Sequence, residues 1–249
     1  MKAMIFAAGL GTRLRPITDS IPKALLPIRG KPLLQWQIEK LRESGINDIV
    51  INVHHFPEQI RQFLHDNADF GCHIQISDES DKLLETGGGL RKAAALLGDK
   101  EPVLALNVDI LSTINLRDLI AAHRSDARAT LVVSERDTQR YLLFDENQRL
   151  HGWTNTTTGE LKPIGRGDLL RQKLTNGQLH KLAFSGMHII APELLSLMQT
   201  WDECFPIIDF YLSVCETAPI YAYIPPNYHM MDIGKIDHLS EAEDFAATL

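Results

Sequence analysis

The stretch AAGLGTRLRP, residues 7 to 16, sets two glycines and two arginines directly after an apolar run, and a lysine follows in PKALLPI. These residue types hold anions. Gly9 and Gly11 allow positive φ and let backbone N–H groups come close to a phosphate. Arg13, Arg15 and Lys23 add three cations on one short segment, enough to surround several phosphate charges. The loop begins where the run AMIFAA (3 to 8) ends, and ligands of parallel sheets bind at the carboxyl edge of the strands. Two common phosphate loops are excluded by residue type: GxGxxG needs glycine where Leu14 stands, and GK[ST] does not occur. A plain turn with solvated basic residues remains the alternative for an isolated GxG.

Regular elements must hold these side chains, and the chain supplies them in alternation. AMIFAA and DIVINV (48 to 53) are short apolar runs of the kind that form strands buried on both faces. Between them, LLQWQIEKLRESG places Leu34, Ile38 and Leu41 on one helical face and closes on Gly45. PEQIRQFLHD follows, with Ile60, Phe63 and Leu64 on one face and Pro57 in the first turn. HIQISD, GGGLRKAAALLG and VLALNVD read as strand, helix, strand, and Asn115 is the expected N-cap of LRDLIAAHR before the strand ATLVVS. This pattern predicts right-handed βαβ units in a three-layer α/β/α fold with a mostly parallel, open, Rossmann-like sheet. From residue 141, YLLFDENQRLHGWTNTTTGELKPI is polar and turn-rich, and predicts a hairpin excursion over a cleft. KLAFSGMHII, PELLSLM, IIDFYLSVCE, IYAYIP and HLSEAEDFAATL then resume regular structure, and no repeat or linker calls for a second domain.

Composition narrows the function classes. A chain of 249 residues with 44% hydrophobic residues can bury a full core. Its formal charge of -7 supplies no general positive field for nucleic acid or an anionic membrane, so neither partner is expected and any anion must be held locally. Cys72, Cys204 and Cys215 have no CxxC spacing and are read as buried core thiols of a reducing compartment. The N-terminus lacks the pattern of a signal peptide and no apolar run approaches membrane length, so a cytoplasmic protein is expected. The neighbours His54 and His55 project in opposite directions from a strand end and do not suit one metal. No GxSxG elbow anchors covalent hydrolysis.

AAGLGTRLRPIT followed by PKALLPI resembles the signature of the sugar-phosphate nucleotidylyltransferases, which join a nucleoside triphosphate to a sugar 1-phosphate and release pyrophosphate. LLETGGGL (83 to 90) is similar to the segment that family uses near the base and sugar. LNVD (106 to 109) and MDIGK (231 to 235) resemble its two acidic metal positions, and AFSGMHII resembles its sugar-contacting strand. The resemblance implies one nucleotidylyltransferase domain over 1–249, with residues 1–140 as the nucleotide half and 141–249 as the sugar half. ETGGG and the short length are most similar to members that use UTP with N-acetylmuramate 1-phosphate. Members that use GTP with mannose 1-phosphate come second.

The chemistry of that family suits these residues. A sugar 1-phosphate is already an anionic nucleophile, so catalysis consists of in-line positioning and charge neutralisation. By the resemblance, Arg13 neutralises the β and γ phosphates, Lys23 holds the α-phosphate, and Ala8, Gly9, Gly11 and Thr12 complete the nucleotide loop. Gly87 and Gly88, with Gly89, are expected to open a helix N-terminus to the nucleotide; the alternative is a flexible connection. Glu85 is expected on a ribose or sugar hydroxyl, with helix-end stabilisation as the plain alternative. Asn107, Ser185 and Gly186 are the expected sugar contacts, and Asp109 and Asp232 the expected Mg²⁺ ligands, hard carboxylate oxygen being what that ion prefers. The chain departs from the family pattern twice. Val108 stands where many members have glycine, and the mid-chain Glu-Lys pair is missing, leaving Trp153, Asn155 and Lys162 in its region.

Overall fold

The computed structural model describes residues 1–163 and 165–249. The strands are β1 (Lys2–Phe6), β2 (Pro27–Ile28), β3 (Lys31–Pro32), β4 (Asp48–Val53), β5 (His73–Asp78), β6 (Val103–Asn107), β7 (Ile110–Ser112), β8 (Ala129–Ser134), β9 (Arg140–Phe144), β10 (Leu150–Asn155), β11 (Leu161–Lys162), β12 (His180–Ile190), β13 (Ile220–Tyr223) and β14 (Met230–Asp232). The helices are α1 (Leu33–Glu43), α2 (Pro57–Asp66), α3 (Glu85–Leu97), α4 (Leu116–Ala122), α5 (Gly167–Thr175), α6 (Pro192–Met198), α7 (Ile207–Val214) and α8 (Leu239–Ala246).

Side-chain alternation along β1 explains the layers. Ala3 and Ile5 face one way and pack with Leu34, Ile38 and Leu41 of α1, Ile60 and Leu64 of α2, and Ala242 of α8. Met4 and Phe6 face the other way and pack with Leu90, Ala93 and Leu97 of α3 and with Ile207, Phe210 and Tyr211 of α7. A strand buried on both sides needs an unbroken apolar run, as AMIF provides. The N-cap expected at Asn115 is present, its Oδ1 accepting from the Arg117 amide at 3.0 Å.

One large mixed sheet runs through the chain in the order β11-β10-β9-β12-β6-β1-β4-β5, with β8 on β12 and β13 on β8. The strands from the first half are parallel: β4 and β6 flank β1, and β5 follows β4. The sheet changes character at β12, which runs antiparallel to β6, β8 and β9. Apolar runs carry no direction, so a buried antiparallel strand reads like a parallel one. Because β6 and β8 both oppose β12, they point the same way, and their carboxyl ends emerge on one edge with that of β1.

Several expectations need correction. β1 stops at Phe6 and not at residue 8, because the Ala7 amide leaves the ladder and donates to Asn52 Oδ1 at 2.8 Å. The hairpin β9-β10 forms as expected, but it lengthens the sheet beside β12. α5 falls in a stretch to which the sequence reading assigns no element; its GDLLRQKLT buries Leu170 alone. Of the three cysteines only Cys215 is a core thiol, Cys72 being half-buried and Cys204 exposed. No helix among the described residues is long and apolar enough to cross a membrane.

Candidate active site

The carboxyl ends of β1 and β6 open into a cleft of about 460 Å³ lined by Ala8, Gly9, Gly11, Thr12, Arg13 and Lys23 of the opening loop. Asn52, Glu79, Glu85, Thr86, Asn107, Val108, Asp109 and Gly234 complete its walls. Gly11 has φ +63°, and a Cβ there meets Thr18 Cγ2 at 2.8 Å, so both conformation and packing demand glycine. Thr18 Oγ1 donates back to the Gly11 carbonyl at 2.8 Å and closes the turn. Apart from its chain neighbours, no atom of the described residues lies within 4 Å of a Cβ built on Gly9, so the loop is open there. The amides of Gly9, Leu10 and Gly11 meet no protein acceptor among the described residues. Arg15 turns out of this group and pairs with Asp19 at 3.2 Å on the surface. The anion loop therefore has two cations, Arg13 and Lys23.

Asp109 lies in the turn between β6 and β7, and its carboxylate forms an ion pair with Lys23 Nζ. Gln37 of α1 fixes that turn from behind, its Nε2 donating to the carbonyls of Ile110 at 2.8 Å and Val108 at 3.4 Å. β14 pairs with β7 so that Asp232 stands opposite Ile110, and the Ile233 amide donates to the Asp109 carbonyl at 2.9 Å. The pKa of Asp232 is raised, first by burial and then by the charge of Asp109, against Lys23, Arg13 and Arg136 acting the other way. A Cβ on Gly234 lies 2.8 Å from Asp232 Oδ1 and 2.9 Å from Arg13 Nη2, so glycine is what lets the guanidinium lie across this turn. Two mutually repelling carboxylates beside a phosphate-sized loop suit Mg²⁺, which takes one or two carboxylates together with substrate phosphates. Among the described residues no group of three or more His, Cys, Asp or Glu gathers as an all-protein cage.

Gly87 and Gly88 require the clearest correction. They lie inside the first turn of α3, buried, and both amides donate to the Phe205 carbonyl, at 2.9 and 3.2 Å. A Cβ on Gly87 meets the Phe205 ring at 2.2 Å, and one on Gly88 meets the Glu203 carbonyl oxygen at 2.2 Å. Their small size admits the segment before α7 and not a nucleotide. Glu85, with φ +58°, does line the cleft, beside Thr86. A buried chain of hydrogen bonds invisible in the sequence supports this wall. Asn52 joins the loop to Glu79 by accepting from Ala7 N–H and donating to Glu79 Oε1 at 2.7 Å, and Glu79 Oε2 accepts from Leu84 N–H at 3.3 Å. Burial raises the Glu79 pKa, partly offset by these donors. The one available signal was the polar Asn52 within the apolar run DIVINV.

Ser185, Gly186 and Asp232 do not line this cleft; next to its Asn107 wall, β12 bulges between Phe184 and His188. Gly186 has φ +72°, and a Cβ there meets Asn107 Nδ2 at 2.7 Å, so it admits the Asn107 side chain. Ser185 is buried with its Oγ unpartnered. Trp153, Asn155 and Lys162 do not reach the cleft. Lys162 Nζ donates to Asp209 at 3.1 Å and sits 5.4 Å from the Trp153 ring centre, while Asn155 Oδ1 accepts from Thr157 N–H at 2.9 Å. No residue of β9, β10 or β11 lines the cleft, so the hairpin is not its cover. A larger hollow of about 570 Å³ beside α1, β7 and α4 is a weaker candidate, because its cations Lys31, Lys40 and Arg117 are already bound, to Glu39 at 2.6 Å, to the Ser112 carbonyl and to the Glu43 carbonyl at 2.7 Å.

A glycine loop with cations at the carboxyl edge of a mostly parallel sheet is suited to binding phosphate groups. The chain belongs to the nucleotidyl transferase family, whose profile matches residues 2–147. It is 45% identical to the N-acetylmuramate alpha-1-phosphate uridylyltransferase of Neisseria meningitidis serogroup B, with 99% of this chain and 98% of that one covered. A mannose-1-phosphate guanyltransferase of Gibberella zeae is 39% identical, over 54% of this chain and 38% of that one. In three dimensions the chain superposes on UDP-glucose pyrophosphorylase complexed with UDP-glucose with a TM-score of 0.77 at 19% identity, covering 100% of this chain and 99% of that one. That likeness concerns the fold.

Proposed function

We propose that the protein transfers the uridylyl group of UTP to N-acetylmuramate 1-phosphate and releases pyrophosphate. The observation that carries this reading is the 45% identity maintained end to end with the Neisseria uridylyltransferase. The guanyltransferase match covers about half of the chain, which makes GTP with mannose 1-phosphate the second reading.

In the proposed reaction a phosphate oxygen of the sugar 1-phosphate bonds to the α-phosphorus of UTP, and the bond from that phosphorus to the bridging oxygen of pyrophosphate breaks. No proton has to be removed from the nucleophile, so the obstacle is the repulsion of two anions. The free amides of Gly9, Leu10 and Gly11 and the Arg13 guanidinium take the β and γ phosphates and the leaving pyrophosphate. Lys23, aimed by its pair with Asp109, neutralises the α-phosphate. Ala8 and Thr12 shape the loop, and Glu85 and Thr86 flank the nucleoside. Asp109 and Asp232 hold Mg²⁺, which when bound neutralises phosphate charge. Asn107, Ser185 and Gly186 form the sugar side. The unpaired cysteines suit a reducing compartment, and we place the reaction in the cytoplasm.

Incubating the protein with UTP, GTP, CTP or dTTP against a panel of sugar 1-phosphates, and following pyrophosphate release with Mg²⁺, tests the proposal. The highest kcat/KM is expected for UTP with N-acetylmuramate 1-phosphate. A preference for GTP with mannose 1-phosphate replaces it with the second reading, and tight binding without turnover across the panel makes the protein a sensor.

A further inference from the structure

The charges along the cleft edge follow an order that the reaction alone does not require. Arg13 and Lys23 stand at the phosphate loop, and Asp109 and Asp232 come next. Arg136 lies beyond them, two residues past the end of β8. β8 points the same way as β6, since both oppose β12, so Arg136 leaves the sheet on the cleft edge, across β12 from Asn107. Its Nη2 donates to the Phe184 carbonyl at 3.0 Å, which fixes the side chain against β12. No carboxylate lies within ion-pair distance of this guanidinium among the described residues. Burial raises the Tyr228 pKa, and the hydrogen bond with Ser185 and then the Arg136 charge lower it.

Two neutral groups accompany it. The Ser185 Oγ, on a side chain that is 1% exposed, and the buried Tyr228 hydroxyl meet no well-aligned partner among the described residues, and they lie near enough to each other for Ser185 to lower the Tyr228 pKa. The two hydroxyls answer each other only in part, and a ligand acceptor beside Arg136 would give them the aligned partner that they lack. A neutral sugar needs hydroxyl partners but no cation at this end. N-acetylmuramate differs from N-acetylglucosamine by a lactyl ether that carries a carboxylate, and arginine is the side chain whose planar fork matches a carboxylate.

We infer that Arg136, with Tyr228 and Ser185 beside it, forms a carboxylate subsite that selects acidic sugar 1-phosphates over neutral ones. The inference rests on the function proposed above and specifies the substrate class of that site. Arg136 touches no reacting atom in this scheme; it sets specificity.

The test compares Arg136→Ala and Arg136→Gln with the wild type, using UTP and either N-acetylmuramate 1-phosphate or N-acetylglucosamine 1-phosphate. The glutamine variant retains a donor for the Phe184 carbonyl and guards against simple misfolding of the alanine variant. Losing a hydrogen bond to a charged group is worth roughly 10- to 100-fold. Both variants are expected to lose that much kcat/KM toward N-acetylmuramate 1-phosphate, mainly through KM, with the loss confined to the acidic sugar and the KM for UTP unmoved. Where the neutral sugar turns over too slowly, its competitive inhibition constant is the readout. Equal losses for both sugars, or no loss for either, overturn the inference while the proposed function stands. A wild type inert toward N-acetylmuramate 1-phosphate but active on another pair overturns both.

Discussion

The two ends of the cleft are built in different ways. The phosphate end comes from one continuous segment, Gly9 to Lys23, in which Gly11 and Thr18 close a turn and the cations follow within the same loop. The proposed sugar end draws on Asn107, Ser185, Gly186 and Tyr228, which three separate stretches of chain supply. Phosphate is the same in every substrate and can be met by backbone amides and fixed charges. A sugar differs from substrate to substrate, and side chains drawn from separate elements can be exchanged one at a time without disturbing the loop. The comparison teaches that a short motif identifies the reaction, while substrate choice lies where the sequence has no motif.

The largest effect is expected between the two ends, at the carboxylates. Asp109→Asn and Asp232→Asn preserve size but remove charge from the proposed cation site, and each is expected to lower kcat about 10²- to 10³-fold. The thermal midpoint is expected to hold in Asp232→Asn and to fall in Asp109→Asn, which leaves the buried Lys23 ammonium unpaired. Near wild-type turnover at saturating Mg²⁺ removes that residue from the site.

Gly88→Ala asks whether the glycine triplet belongs to the ligand or to the core. With the Glu203 carbonyl oxygen 2.2 Å from the added methyl, overpacking is expected to cost about 1 to 3 kcal/mol in denaturant unfolding. The KM for UTP in the folded fraction should stay near that of the wild type. A stable variant with a much raised KM returns the glycine to the nucleotide site.

β12 brings an acid sensitivity to the sugar side that the phosphate loop lacks. His188 is buried with both ring nitrogens unpartnered, and burial lowers its pKa to about 3. The unfolded imidazole takes a proton near pH 6.5 and the folded one does not. Its stabilising effect is therefore complete above pH 6.5 and falls away as pH drops toward 3. About 1.4 kcal/mol per pH unit gives roughly 2 kcal/mol lost by pH 5. Unfolding free energies of wild type and His188→Phe at pH 7 and pH 5 should differ in acid response by that amount, and parallel curves refute the assignment.

The smallest effect is expected at Lys162. Its pair with Asp209 is partly exposed and lies away from the cleft, so Lys162→Ala should change stability by about 1 kcal/mol or less and leave kcat/KM within about twofold. A large loss of kcat/KM would return this lysine to the sugar end and break the contrast between the two ends.

Much of the fold was legible because burial on two faces leaves a signature. AMIF and VLAL are unbroken apolar runs, DIVINV is apolar but for Asp48 and Asn52, and α1 and α2 show their inner faces in Leu34, Ile38, Leu41, Ile60 and Leu64. The reversal of β12 was not legible, since direction in a sheet depends on which neighbours a strand meets. In the site, Arg13, Lys23 and Asp109, singled out by residue type, line one cleft. Arg15, Gly87 and Gly88 turn away from the expected anion contacts for one physical reason: residue type states what a residue can bind, and a nearer protein partner takes each of them.

By itself, the sequence determined the alternation of elements, the glycine loop with its cations, and two aspartates at strand ends, because these depend on local conformation and on short spacings. The tertiary structure alone decided that Asn52 and Glu79 tie the loop to α3, that Gln37 fixes the Asp109 turn, and that Phe205 claims the glycine amides. It also decided that Arg136 reaches the cleft edge. Each of these joins residues far apart in the chain, and such contacts exist only after the sheet has set which strands are neighbours and which way they run.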